Sequence, residues 1–176
     1  MEEPFAAAEF IIDYVVYAKF HKFHSQKGVR KTLYILVYIF AAIGLLTGLL
    51  SMLFFSFDKV MIVLMIILIF PLALVFFTRT NLPRLQYKHF KKLLEAPQKL
   101  QLFADFFTVE SDTAQFSGKT SMKYEALYKA YETDDMFYLY INKYQAHLLP
   151  KAALGEEAIQ ELRSILHAKL GEKLIF

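Results

Sequence analysis

His21 and His24 stand one helical turn apart, a spacing that can set two imidazoles on one metal ion. A metal site needs further donors, and no third ligand or carboxylate lies near them in the sequence. They read as polar residues beside an apolar segment, and no metal is expected. Asp134-Asp135 is a carboxylate pair, but it falls between two strand-like runs and reads as turn chemistry. Glu156-Glu157 suits the positive start of a helix better than an acid/base dyad. Lys151, directly after Pro150, reads as a solvated base, with contact to an anion as the alternative. The sequence has no Gly-rich phosphate loop, GxSxG elbow or HExxH helix. It also has no Cys, which excludes disulfides, thiolate zinc sites and a cysteine nucleophile. The expectation is a protein that is not an enzyme and uses no cofactor.

The elements around these residues are dominated by hydrocarbon. Thr32 to Phe57 and Val60 to Thr78 are uncharged runs of about 26 and about 19 residues, each long enough to cross a bilayer core as a helix. Asp58-Lys59 separates them. The fold class expected is therefore a membrane α-helical hairpin plus an α+β soluble domain. The segments are an N-terminal amphipathic helix and basic juxtamembrane stretch (1–31), a first span (32–57), a second span (60–78), a basic juxtamembrane helix (79–97) and a cytoplasmic domain (98–176). A cleaved signal peptide does not fit, because the first run starts after roughly 31 residues and a second span follows it at once.

Charge orients the hairpin. Glu2, Glu3, Glu9 and Asp13 come first; Lys19, Lys22, Lys27, Arg30 and Lys31 then precede the first span without an acid. Arg79, Arg84, Lys88, Lys91 and Lys92 follow the second span before Glu95. Bases thus flank the open end of the hairpin, while its closed end holds only Lys59. Lys/Arg excess in short flanks marks the cytoplasmic side, so a two-span cell-membrane protein with both termini cytoplasmic is expected. The same bases could hold anionic lipid headgroups. Nucleic acid is not an expected partner, since residues 93–176 carry more acids than bases.

Phe10 to His24 shows helical spacing through Phe10, Tyr14, Ala18 and His21, broadened by Val15, Tyr17 and Phe20, and reads as an amphipathic helix. It could lie on the membrane or on the soluble domain. Ser25 to Gly28 breaks the pattern. In the first span, Ala41, Gly44, Gly48 and Ser51 form a stripe of small residues that permits close helix approach. The second span is the expected partner, with homodimerisation through the first span as the alternative. Pro71 is expected to kink the second helix. Neither span has an ionisable residue inside it, which argues against a proton relay, ion pathway or transporter. Tyr34, Tyr38, Phe76 and Phe77 stand where interfacial aromatics anchor.

Leu82 to Leu94 reads as a helix closed by Pro97. The period then changes. Lys99–Phe103, Phe106–Glu110, 114–117, Ser121–Tyr124, Leu127–Glu132, Met136–Ile141 and Ala146–Leu149 are short strand-like segments. Turns are expected at 104–105, 111–113, Gly118, 133–135 and 142–143. Met136 to Ile141 sets Phe137, Leu139 and Ile141 opposite Met136, Tyr138 and Tyr140. After Pro150, Ile159, Leu162, Leu166 and Leu170, with Ile165, form the stripe of a final helix stopped at Gly171. Strands followed by one amphipathic helix outline a pleckstrin-homology-like (PH-like) antiparallel sheet or barrel.

These residues bring a family into view. Asp13-Tyr14, the Ser25 to Arg30 approach, the run from Tyr131 through Glu132 to Tyr140, Leu149 through Lys151 to Leu154, and Glu161-Leu162-Arg163 resemble the bacterial YcxB-like family. The resemblance implies two spans and a C-terminal PH-like domain, with no established reaction. One departure is Lys123-Tyr124, where a Trp-centred strand is expected. The function expected is a membrane-anchored, non-enzymatic interaction module whose cytoplasmic domain binds an unidentified protein segment or the membrane surface. The alternative is a small envelope-protection or immunity protein acting within the bilayer. Membrane lipids are partners in either case.

Overall fold

The computed structural model describes residues 3–27, 29–54, 59–113 and 116–176. Glu2, Gly28, residues 55–57 of the first apolar run, Asp58 of the expected turn and Ala114 lie outside the described residues. In chain order the elements are β1 (Ala6–Phe10), α1 (Tyr14–Ser25), α2 (Val29–Phe54), α3 (Lys59–Thr80), α4 (Leu82–Leu94), β2 (Gln98–Leu102), β3 (Phe106–Thr113), β4 (Phe116–Lys123), β5 (Lys129–Glu132), β6 (Met136–Tyr140), β7 (Ala146–Pro150), α5 (Glu156–Leu170) and β8 (Leu174–Ile175). The protein is α+β. It divides into a helical unit, residues 17–89, and a sheet unit, residues 1–16 with 90–176.

In the sheet unit, one antiparallel sheet has the order β1-β2-β3-β4 and a second has the order β7-β6-β5-β8, with β8 parallel to β5. β1 corrects the sequence reading, in which Phe10 opens a helix. Phe10 instead pairs with Gln98 and Ala6 with Leu102. The helix starts at Tyr14, where Asp13 Oδ1 accepts the Val16 N–H at 2.8 Å, an N-cap that satisfies one free donor of the first turn. Helical spacing of Phe10 and Tyr14 could not reveal this, because the strand's partner follows the whole helical insertion. Residues 11–97 thus leave the sheet from one strand and rejoin it at the immediate neighbour.

Two expected turns also prove to be strand. Ser111-Asp112-Thr113 and Gly118 lie inside the β3–β4 ladder, where Ser111 pairs with Gly118 and Thr113 with Phe116. The ladder runs past the last β2 partner, Gln98, so turn-forming residues are carried in an extended hairpin by cross-strand hydrogen bonds alone. The strand expected from Leu127 begins at Lys129, after a 3-10 turn at Tyr124–Ala126.

β6 is central in its sheet, and all five of its residues are buried. Phe137 and Leu139, both 0% exposed, face a core shared with Leu102, Phe107 and Leu149. α5 closes this core with Ile159, Leu162, Leu166 and Leu170, the stripe expected from its sequence, and Ile165 packs beside them. Each such aliphatic side chain contributes about 1.5–3 kcal/mol on full burial. Glu156 and Glu157 occupy the first turn. Gly171, at φ 52°, ends the helix in a conformation that glycine tolerates without a Cβ clash, and its N–H bonds the His167 carbonyl.

In the helical unit, α2 and α3 pack antiparallel, and α3 continues through Pro71. Among the described residues, one stretch, Lys31–Ser51 of α2, is long and apolar enough to cross a membrane, with mean hydropathy 2.4 and 6% of it buried within the molecule. α3 passes into α4 almost without a break: Asn81 N–H bonds the Phe77 carbonyl at 2.8 Å, and Leu85 N–H bonds the Asn81 carbonyl at 3.0 Å.

Candidate functional site

β5 alternates so that Ala130 and Glu132 share the buried face. A carboxylate there, 7% exposed, loses much of its hydration and needs compensation. It receives two cations. Lys151 Nζ, in the 3-10 turn after β7, stands 2.6 Å from Glu132 Oε1. Arg163, on α5 between Ile159 and Leu166 of the buried stripe, donates through Nε at 3.0 and 3.1 Å and through Nη2 at 2.6 Å. This fork geometry is the strong, charge-assisted form of the bond. Desolvation pushes the Glu132 carboxyl up, but the hydrogen bonds and charges of Arg163 and Lys151 outweigh it and hold the group below the usual carboxylate range. Lys151 Nζ also lies 5.1 Å over the Phe137 ring, and the backbone N–H of Lys151 bonds the Asp135 carbonyl. The cluster ties β5, the turn after β7 and α5 to one another.

Lys151 is therefore not the solvated base that its sequence context suggests; its partner is an anion within the chain. Glu132 and Arg163 carry no role in the sequence reading beyond the resemblance. The signal for them is two opposite charges, one at an inward strand position beside Ala130 and one at i+4 from Ile159 on the apolar helix stripe. Asp134 and Asp135 sit in the β5–β6 turn, closed by Thr133 N–H to the Met136 carbonyl at 2.9 Å. At the other end of α5, Lys169 Nζ meets Asp105 at 2.6 Å and Glu125 at 3.5 Å on the surface.

Among the described residues, Ser111 Oγ, Tyr124 OH and His147 Nε2 are buried without a hydrogen-bond partner, and the Tyr124 and His147 rings both neighbour Phe107. Burial pushes the Tyr124 hydroxyl up and the His147 imidazole down, so both favour their neutral forms. The Tyr124 ring is fully buried.

In the helical unit, Ala41 and Gly44 are the buried residues among the described side chains of α2, and Gly48 and Ser51 are half-buried. Ala41 lines an apolar groove of about 330 Å³ with Leu33, Leu36, Val37 and Phe40 of α2 and with Ile67 and Pro71 of α3. Thr47 and Ser51 return their hydroxyls to helix carbonyls, at Gly44 (3.0 Å) and Thr47 (2.7 Å), so neither leaves an open donor on an apolar helix. At the open end of the pair, the Arg79 guanidinium lies 4.7 Å over the Tyr34 ring and 3.5 Å from the Tyr38 hydroxyl. Among the other flanking bases, Lys19, Lys22, Lys31, Arg84, Lys88, Lys91 and Lys92 are exposed. Lys27 lies 3.9 Å over the Phe23 ring, and the Arg30 side chain lies outside the described residues. His21 and His24 are half-buried on α1, with the His24 ring tilted against Phe20 at 5.6 Å between centroids; among the described residues no three His, Asp or Glu side chains come together as a metal site.

No curated protein and no solved structure matches the chain. Residues 104–166 match a family model described as YcxB-like protein. The match takes in β3 through most of α5, and with it Glu132, Lys151 and Arg163. Over this segment the resemblance drawn from the sequence is borne out: residues 104–166 are similar to the YcxB-like family.

Proposed function

We propose that the chain is a membrane-anchored, non-enzymatic interaction module, in which α2 and α3 are two crossings of one bilayer. The sheet unit is then a PH-like cytoplasmic domain that binds a protein segment or the membrane surface. One observation carries the reading: β1 and β2 are paired strands of one sheet, and everything between them is the helical insertion. If α2 crosses a bilayer, the chain has to cross back before Gln98 can pair with Phe10. α3 is the apolar helix available to do so. The bases on both flanks support the cytoplasmic assignment.

The PH-like assignment is supported by element order: four antiparallel strands, three more in a second sheet, then one helix whose apolar stripe enters the core. The non-enzymatic assignment is supported by the pairing of Glu132 with both Lys151 and Arg163, which leaves that cluster engaged in holding the fold. The chain has no Cys, so single cysteines are clean reporters. In oriented membrane vesicles, a membrane-impermeant maleimide should label E3C and Y144C from one side and D58C from the other. Labelling of E3C and Y144C from opposite sides, or recovery of the protein free of lipid, overturns the reading.

A further inference from the structure

We infer that α4 is a membrane-surface helix that rests on the anionic headgroups of the bilayer anchoring the chain; this rests on the membrane reading above. α4 has two apolar faces. Pro83 and Tyr87 are buried within the protein. On another arc, Leu85, Phe90 and Leu93 are 56%, 50% and 47% exposed. At about 100° per residue, Leu85 and Leu93 fall on one stripe through His89, with Phe90 at its margin. Arg84, Lys88, Lys91 and Lys92, all exposed, occupy the adjoining arc, and the helix contains no acid. Three large apolar side chains beside four bases form the pattern of a helix lying in a lipid interface.

Placement and charge select the occupant. α4 follows α3 after the single residue Asn81, and Pro83 has no N–H to carry the α3 ladder onward, so the helix axis is free to turn there from the bilayer normal toward its surface. At about 1.5 Å per residue, Leu85 lies no more than roughly 9 Å along the helix from Arg79, within reach of the headgroup layer. A second copy of the chain is disfavoured, because its own α4 would bring four bases against four. An anionic surface neutralises them and receives the apolar stripe in the same contact.

The chain has no Trp, so F90W carries a single reporter, and Y144W, in the exposed β6–β7 loop, is the control. Both full-length variants are placed in nanodiscs of phosphatidylcholine alone or mixed with phosphatidylglycerol, with or without brominated acyl chains. In anionic discs, F90W emission should shift to the blue, be quenched by bromolipid and be shielded from iodide, while Y144W stays open to iodide. K88E/K91E should abolish the bromolipid quenching of F90W. Iodide access equal to that of Y144W, without bromolipid quenching, overturns the inference and leaves the anchor standing. Shielding that appears only as copies per disc increase, without bromolipid quenching, assigns the face to a second copy and also overturns it. Failure of the chain to co-elute with the discs overturns the anchor and this inference together.

Discussion

Phenylalanine occupies opposite environments in the two units. In the sheet unit, Phe107 and Phe137 are 0% exposed, whereas in the helical unit Phe40, Phe70 and Phe76 are 66–69% exposed. The same side chain is core in one unit and surface in the other. A packed core explains the first placement. The second places apolar rings outward along two paired helices, while the buried positions among the described side chains of α2 are the small residues Ala41 and Gly44. In water such a surface would be an aggregation hazard; in lipid it is the expected surface, because association there depends on close packing and not on hiding hydrocarbon.

The largest effect should come from the rings themselves. Phe137→Ala should cost about 3–5 kcal/mol of sheet-unit stability, measured by denaturant unfolding in micelles, while Phe40→Ala should stay within about 0.5 kcal/mol. Equal losses would mean that Phe40 packs inside the protein. Next, Glu132→Gln leaves Lys151 and Arg163 beside a neutral amide and should cost about 3 kcal/mol, the low end for a broken buried pair, because Arg163 is 42% exposed. The pH dependence has a definite sign. The Glu132 carboxyl is held below its ordinary 4.5, so its contribution is present above pH 4.5 and is lost as pH falls through the folded value. Glu132→Gln should remove that part of the acid limb in a thermal melt.

A smaller effect is expected in the helical unit. Gly44→Leu should separate α2 from α3 and cost roughly 1–3 kcal/mol by overpacking, seen as earlier melting of helical circular dichroism in micelles. Loss of a dimer with unchanged melting would instead assign the small-residue stripe to a second copy. The smallest effect concerns His147, whose imidazole is held below its ordinary 6.5 by burial. Its neutral form contributes above pH 6.5, and that contribution fades as pH falls from there towards the folded value. His147→Phe keeps a ring against Phe107 and should flatten the melting temperature across that window.

Much of the α5 stripe was legible because helix period is local: Ile159, Leu162, Leu166 and Leu170 announce one face wherever they are placed. Glu132 was harder. Its strand is short, its neighbours Thr133 and Asp134 are polar, and the nearest base, Lys129, lies on the other face of the strand; Lys151 and Arg163 meet it only when β7 and α5 fold back. The turn signals at Ser111 and Gly118 misled for the opposite reason. Local preference there favours a bend, and the cross-strand ladder overrides it.

By itself the sequence determined the two apolar helices with their basic margins, the α+β content that follows them and the resemblance to the YcxB-like family, because hydropathy, charge and period are properties of neighbouring residues. Tertiary structure alone decided that Ala6–Phe10 is a strand, that the helices form an insertion between adjacent strands of one sheet, and that three distant charges close into one cluster. Each of these depends on a partner far along the chain, and a hydrogen bond or ion pair has no local signature until both halves have been brought together.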